Sequence, residues 1–261
     1  MPAPVANILA EIVARKRRAL AARLAPLSEL ERRAALLKRR SFAQALVADP
    51  PVIIAEIKRA SPSRGRLVED LDPARLAQSY ARGGAAALSV LTEADFFGGS
   101  FLDLEQARSA VALPVLRKDF ILDEYDIAES ASHGADAILL IAAIHSAEAL
   151  RRLREYAAGL GLAALVEVHD REELLAALDS GAAIIGVNNR DLRSFQIRLE
   201  TSLELAPLIP PTVAKVSESG IHSAEHVRRL SEAGFTAFLV GEHLVRAPDP
   251  SSAIKALRSC W

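Results

Sequence analysis

The 261-residue chain is 51% hydrophobic and carries a formal net charge of −1, which is enough apolar content to bury one core of barrel size or two smaller ones. No stretch approaches the roughly 18 apolar residues that a membrane span needs. The start, Met1-Pro2-Ala3-Pro4, lacks an apolar signal core and soon meets Arg15-Lys16-Arg17-Arg18, so neither secretion nor a membrane anchor is expected. A single cysteine, Cys260, excludes an intrachain disulfide, argues against a cysteine nucleophile and fits a reducing cytoplasm.

Positions 1–50 hold ten basic and four acidic residues, leaving the remainder acidic. Such an arm can bind nucleic acid or anionic lipid. Against that, Ile8, Ile12 and Val13 recur at helical spacing, Pro26 interrupts, and Ser28-Glu29-Leu30-Glu31 has capping-box form. The favoured expectation is a helical extension over 1–50 with solvated charged faces.

Beyond position 50 four segments share one plan, a glycine followed by an apolar run: Gly84–Leu91, Gly134–Ile141, Gly181–Asn188 and Gly234–Gly241. Four more apolar runs alternate with them, at Val52–Lys58, Pro114–Lys118, Ala163–Val168 and Thr212–Ser217. Eight strands at a period of roughly 25 residues match the length of one βα unit. Their near-continuous apolar character suits parallel strands covered on both faces. Asp72-Pro73, Asp170-Arg171-Glu172-Glu173 and Asp249-Pro250 place helix N-caps between them, and the glycines suit helix C′ positions. A doubly wound sheet would carry a Gly-rich turn after its first strand, where this chain has Arg59-Ala60-Ser61-Pro62-Ser63-Arg64-Gly65. The expected fold is therefore α/β, a (β/α)8 TIM barrel forming a single domain over 1–261, with the extension over 1–50 packed on it.

Only six of the 32 basic residues are lysine. Lys16 and Lys38 stand in charged stretches and read as residue of an Arg-biased composition, whereas Lys58 and Lys118 close apolar runs. Arginine stays protonated in any protein setting; a lysine can donate and recover a proton. In a barrel of this kind the chemistry sits at the C-terminal strand ends. The odd strands deliver Glu56 and Lys58, Lys118, Glu167 and Glu218 to one mouth, and Asn188 adds an amide from the sixth strand. A lone strand-end charge is most simply a salt bridge, but burying five for stability alone is poor physics, so an acid/base site is expected. Lys215 has the opposite parity to Glu218 and should face outward. The loops Ser217-Glu218-Ser219-Gly220-Ile221 and Val240-Gly241-Glu242-His243, after strands seven and eight, are where barrels commonly hold phosphate.

Other patterns are weaker. His222 and His226 are four apart on an expected helix, with nothing clearly placed to complete a metal site, so two solvated histidines are the expectation. Phe96-Phe97-Gly98-Gly99 suits either a mobile lid or a packed turn.

The chain resembles the indole-3-glycerol-phosphate synthase family. The resemblance is carried by Glu56-Ile57-Lys58-Arg59-Ala60-Ser61-Pro62-Ser63-Arg64-Gly65, Leu116-Arg117-Lys118-Asp119-Phe120-Ile121, Leu165-Val166-Glu167-Val168-His169, Gly186-Val187-Asn188-Asn189-Arg190-Asp191-Leu192, Val216-Ser217-Glu218-Ser219-Gly220-Ile221 and Val240-Gly241-Glu242. It implies ring closure of 1-(2-carboxyphenylamino)-1-deoxyribulose 5-phosphate with loss of carbon dioxide and water, in tryptophan biosynthesis, without a cofactor or metal. By the same resemblance Lys118 is the general acid, Glu167 the partner for dehydration, and Lys58 the grip on the anionic end. Glu56, Asn188 and Glu218 hold hydroxyls and tune the lysines. Ser219, Gly220 and Gly241 cradle phosphate, and Leu116, Phe120, Leu139 and Leu192 form the aryl pocket with Phe97 and Arg190 nearby. Ser61 and Glu242 complete the substrate-binding set. The chain departs from the family at His243-Leu244-Val245, where a small residue followed by Leu-Met is usual. A phosphorylated small molecule is the implied partner, with no nucleic acid or membrane, and a monomer or weak homo-oligomer in the cytoplasm is expected.

Rival expectations are a Schiff-base aldolase using Lys118 or Lys58 as an amine nucleophile and, outside enzymes, a nucleic-acid binder using the basic extension. A phosphoribosylanthranilate-type isomerase would want a cysteine on the first strand, where Glu56 and Lys58 stand.

Overall fold

Eight parallel strands close on themselves in the computed structural model, which describes residues 8–19, 25–62, 64–191 and 194–259. The strands are β1 (Val52–Ile57), β2 (Ala87–Leu91), β3 (Val115–Lys118), β4 (Ala137–Ile141), β5 (Ala163–Val168), β6 (Ile184–Asn188), β7 (Ala214–Glu218) and β8 (Ala237–Val240). Each pairs with its neighbours in sequence, and β1 pairs with both β2 and β8 to shut the ring. Cys260 and Leu192 lie outside the described residues. No described helix is long and apolar enough to cross a membrane.

Strand parity divides the apolar side chains into two bodies. Ile54, Leu116, Leu139, Leu165, Val216 and Leu239 point inward and fill the barrel, while Ile53, Val90, Ile138, Val166, Ile185 and Phe238 point outward under the helices. Covering both faces is why the runs are nearly continuous in apolar residues, and each fully buried Leu or Ile contributes about 1.5–3 kcal/mol. Lys215 obeys the same parity: its ammonium leaves the barrel and donates to the Ala206 carbonyl at 2.9 Å.

Helix punctuation is regular. Asp72, Ser100, Asp123, Ser146, Asp170, Ser223 and Asp249 each accept a backbone N–H in the first turn of the helix they open, a contribution of about 1 kcal/mol apiece. Gly84, Gly134, Gly181 and Gly234 all have φ between 82° and 91°, the left-handed conformation that ends the preceding helix without a Cβ penalty. The capping box expected at Ser28 does not form. Helix Leu27–Ala35 starts two residues earlier with Pro26 as its cap, so Ser28 is already inside, and Glu31 instead accepts from the Tyr156 hydroxyl at 2.7 Å.

The extension is tied to the N-terminal end of the barrel through Asp136, just before β4. Its carboxylate accepts from Arg40 N at 2.7 Å and Val115 N at 2.9 Å and pairs with Arg108. Arg40 then donates to the carbonyls of Val111 at 2.8 Å and Leu113 at 2.7 Å, and Arg39 to those of Ala131 at 2.9 Å and Ala135 at 3.1 Å. Two of the extension's basic residues are thus committed to internal carbonyls rather than to a solvated face. Asp136→Ala should strand the Arg108 guanidinium and two backbone donors, lowering the unfolding free energy in urea titration by about 3 kcal/mol; an unchanged midpoint would refute the tie.

Candidate active site

A cavity of about 930 Å³ opens at the C-terminal end of the barrel, in the size range of small-ligand pockets. Its floor is the uppermost inward layer of the odd strands. Glu56, Glu167 and Glu218 are all buried there, at 4%, 1% and 1% exposure. The Lys118 ammonium lies 2.6 Å from Glu167 Oε2 and 3.3 Å from Glu218 Oε2. Lys58, just past the end of β1, lies 2.6 Å from Glu56 Oε1. The five charges expected to converge do converge, as two linked ion pairs with one carboxylate in excess.

That excess sets the protonation pattern. Burial disfavours the Lys118 charge, but Glu167, Glu218 and Glu56 outweigh it, so its pKa stands above that of a free lysine. Burial also opposes the Glu167 carboxylate, but Lys118, His169 and a hydrogen bond from Asn188 hold its pKa well below the usual range. Glu218 moves the other way: burial, reinforced by the charges of Glu167 and Glu56, pushes it up to about 7 despite Lys118. The floor therefore presents one firm ammonium, one firm carboxylate and one carboxyl able to change state near neutrality.

Two glycines make room for these groups. A Cβ on Gly186 would stand 2.1 Å from Glu218 Oε1, and one on Gly241 would stand 2.1 Å from Glu56 Oε1. Gly241 is required by the Glu56–Lys58 pair before any ligand is considered. On the rim, Ser219 and Gly220 have φ of 67° and 77°, turning the chain after β7 sharply away from the mouth. Gly241, Glu242, Ser61 and Arg190 border the same opening. One wall is apolar: Phe97 and Phe120, with ring centroids 6.2 Å apart, stand with Leu139. Leu116 does not reach the wall; it is fully buried one inward position below Lys118 and supports the floor. Leu192 lies outside the described residues.

The N-terminal helix Ile8–Ala19 roofs the cavity. Ile8, Leu9 and Ile12 line it, with Ile12 only 2% exposed. Lys16 pairs with the buried carboxylate of Asp119, which also accepts from Thr92 Oγ1 at 2.6 Å and Arg117 Nη2 at 2.9 Å. Against burial, Arg117 and Lys16 hold the Asp119 pKa well below the usual range. The charged face with Arg15, Arg17 and Arg18 is exposed, as expected, but the reading of Lys16 as a chance residue is corrected, and the helix's apolar stripe belongs to the site. The stripe at Ile8 and Ile12 was visible in sequence, but periodicity says only that a face is covered, not by what.

Phe96-Phe97-Gly98-Gly99 is a packed turn. The Glu93 carboxylate accepts from the amides of Asp95, Phe96 and Phe97, and Gly99 lies so close to the Leu91 carbonyl that a Cβ would stand 2.2 Å from it. His222 and His226 touch ring to ring at 4.2 Å, and His226 Nδ1 lies 3.0 Å from the Gly220 carbonyl. His222 borders the cavity and stays exposed, as a solvated histidine would, whereas His226 is half-buried behind it.

A family model described as indole-3-glycerol phosphate synthase matches residues 9–257. The "Indole-3-glycerol phosphate synthase" of Albidiferax ferrireducens is 49% identical over 258 residues, covering 96% of this chain and 98% of its own. That of Carboxydothermus hydrogenoformans is 52% identical over 206 residues, 78% of each chain. Among solved structures, KGPDC from Streptococcus mutans superposes with a TM-score of 0.62 at 14% identity, covering 80% of this chain and 96% of that one. The thiamine phosphate pyrophosphorylase of Pyrococcus furiosus gives 0.59 at 16%, covering 80% and 94%. At such identities these two likenesses concern the barrel alone.

Gly186→Ala tests the steric argument, because its methyl must displace the Glu218 carboxylate. The variant should fold yet lose about a hundredfold in kcat/KM, as expected when a reacting group moves by about 1 Å; wild-type kinetics would show that the position of Glu218 is not critical.

Proposed function

The chain belongs to the indole-3-glycerol phosphate synthase family, and from that premise we propose how its residues divide the reaction. The enzyme is a decarboxylating lyase of tryptophan biosynthesis acting on a phosphorylated small molecule. It closes 1-(2-carboxyphenylamino)-1-deoxyribulose 5-phosphate to indole-3-glycerol phosphate, releasing carbon dioxide and water.

The observation that carries the assignment is Lys118, held as an ammonium between two buried carboxylates at the bottom of the cavity. As the aryl carbon attacks the ribulose carbonyl, negative charge grows on that oxygen, and Lys118 donates the proton that quenches it. The electron pair of the departing carboxylate then restores the aromatic ring. In the later dehydration Glu167, already paired with Lys118, takes the proton whose removal expels the hydroxyl and hands it to the departing oxygen, which leaves as water. Lys58, steadied by Glu56, grips the anionic end, and Asn188 and Glu218 hold hydroxyls and tune Lys118.

The remaining residues bind. Ser219, Gly220 and Gly241 offer backbone N–H groups to the phosphate at the rim, with Ser61, Arg190 and Glu242 beside them. Phe97, Phe120 and Leu139 take the aryl group, and Ile8 and Ile12 from the roofing helix exclude water above it. We assign the reaction to the cytoplasm and to a monomeric or weakly self-associating chain that binds no nucleic acid.

A Schiff-base role for Lys118 is disfavoured on the same geometry. An amine nucleophile needs a lowered pKa, whereas the carboxylates around Lys118 raise it.

Two substitutions separate the steps. Lys118→Ala should lose about 10²–10⁴-fold in kcat, the span of general acid catalysis, while still binding substrate in equilibrium titration; turnover near wild type would remove the assignment. Glu167→Gln should slow a step after ring closure, so single-turnover traces should show an intermediate that accumulates before indole fluorescence rises, and a trace without one would count against this role.

A further inference from the structure

Chemical balance puts a demand on this site. The substrate enters with an ionised carboxylate and leaves as neutral carbon dioxide and water, so each turnover consumes one proton. Lys118 gives its proton to the carbonyl and must be recharged. While substrate fills the mouth and the helix Ile8–Ala19 lies over it, direct access of water to Lys118 is restricted.

A second way in exists at the end of β5. His169, two residues beyond Glu167, is largely buried, with its side chain 11% exposed. Its Nδ1 lies 2.9 Å from Glu173 Oε2, in the first turn of helix Arg171–Asp179, and the same oxygen accepts the His169 backbone N–H at 2.8 Å. The other ring nitrogen, Nε2, is buried without a hydrogen-bond partner among the described residues and lies 3.4 Å from Glu167 Oε1. Glu167 Oε2, on the far side of the carboxylate, holds Lys118 at 2.6 Å. Exposure grows along the row, from Glu167 at 2% through His169 at 11% to Glu173 at 19%. A buried imidazole nitrogen without a partner is uncommon in a native interior, and a neutral ring satisfying no donor there can accept a proton or, once charged, deliver one.

We propose that His169 is a proton relay joining the Glu173 carboxylate to Glu167, so that Lys118 is recharged from the β5 loop while substrate closes the mouth. The steps balance. A proton from water reaches Glu173 and passes to His169 Nδ1, and the ring releases its Nε2 proton to Glu167 Oε1. Glu167 then gives a proton to the neutral Lys118 amine, and once product has left and water enters the mouth, His169 Nε2 takes a proton from that water while Nδ1 returns one to Glu173, which resets the ring. Glu167 can accept at that moment because the Lys118 charge that suppresses its proton affinity has just gone. The charged groups facing the ring are Glu167 on its own strand, Glu173 on the following helix and Glu218 on β7; against burial they raise the His169 pKa, which brings the imidazolium within reach near neutrality. The relay rests on the proposed part of Glu167 in the site.

His169→Asn tests it, assayed for turnover in weak buffer and again with added imidazole. The expected result is an intact thermal transition, KM within about twofold of wild type, kcat down by about 10²-fold, and recovery of several-fold as imidazole is raised. A structural role for the ring would lower kcat without such recovery. Glu173→Gln keeps an oxygen for the His169 amide and carries the same test if the histidine variant fails to fold. Wild-type kcat in weak buffer, or a loss that imidazole leaves unchanged, overturns the relay. The two assignments fail separately. An unimpaired Glu167→Gln removes the reading beneath the relay, whereas an impaired Glu167→Gln beside an unimpaired or unrescued His169→Asn removes the relay alone.

Discussion

The buried Lys118 ammonium is the group around which the barrel mouth is arranged. Taking such a charge out of water carries a penalty of several kcal/mol, which is offset only by well-placed opposite charge. Glu167 and Glu218 supply that charge from β5 and β7, which is possible because inward side chains of alternate strands share one layer. A doubly wound sheet would spread the same residues along an edge.

The compensation is deliberately uneven. Two ammonium groups face three carboxylates, and the surplus falls on Glu218, whose proton affinity rises toward neutrality while that of Glu167 falls. Neighbouring carboxyls driven apart in this way are the usual means by which one fold runs acid and base steps at a single pH. Gly186 and Gly241 keep the crowding tolerable, since each lacks the Cβ that would strike a carboxylate oxygen. Their absence of side chain is thus an electrostatic requirement met by steric means.

The two ends of the barrel carry different burdens. At the N-terminal end, Asp136 with Arg39, Arg40 and Arg108 fastens the extension through interactions that only hold structure. At the C-terminal end the same extension contributes Ile8, Ile12 and Lys16 to the roof of the cavity, anchored on Asp119. One segment therefore links stability below to enclosure above.

The barrel, its eight strands and the convergence of Glu56, Lys58, Lys118, Glu167 and Glu218 were legible in the chain because they rest on short-range rules. Glycines at C′ positions, Asp and Ser caps and a period-two parity are each decided by a few adjacent residues. Capping at Ser28, the depth of Leu116 and the placing of Lys16 were not legible. Each depends on which distant element covers a face: Pro26 starting a helix two residues early, the floor rising to Lys118, Asp119 waiting beneath the roof. Direction is local, so the sequence alone determined which side chains enter the mouth. Partnership is not, and only the closed tertiary structure decided that Lys118 would be shared by two carboxylates, that Gly241 would yield its space to Glu56, and that His169 would stand between Glu173 and Glu167.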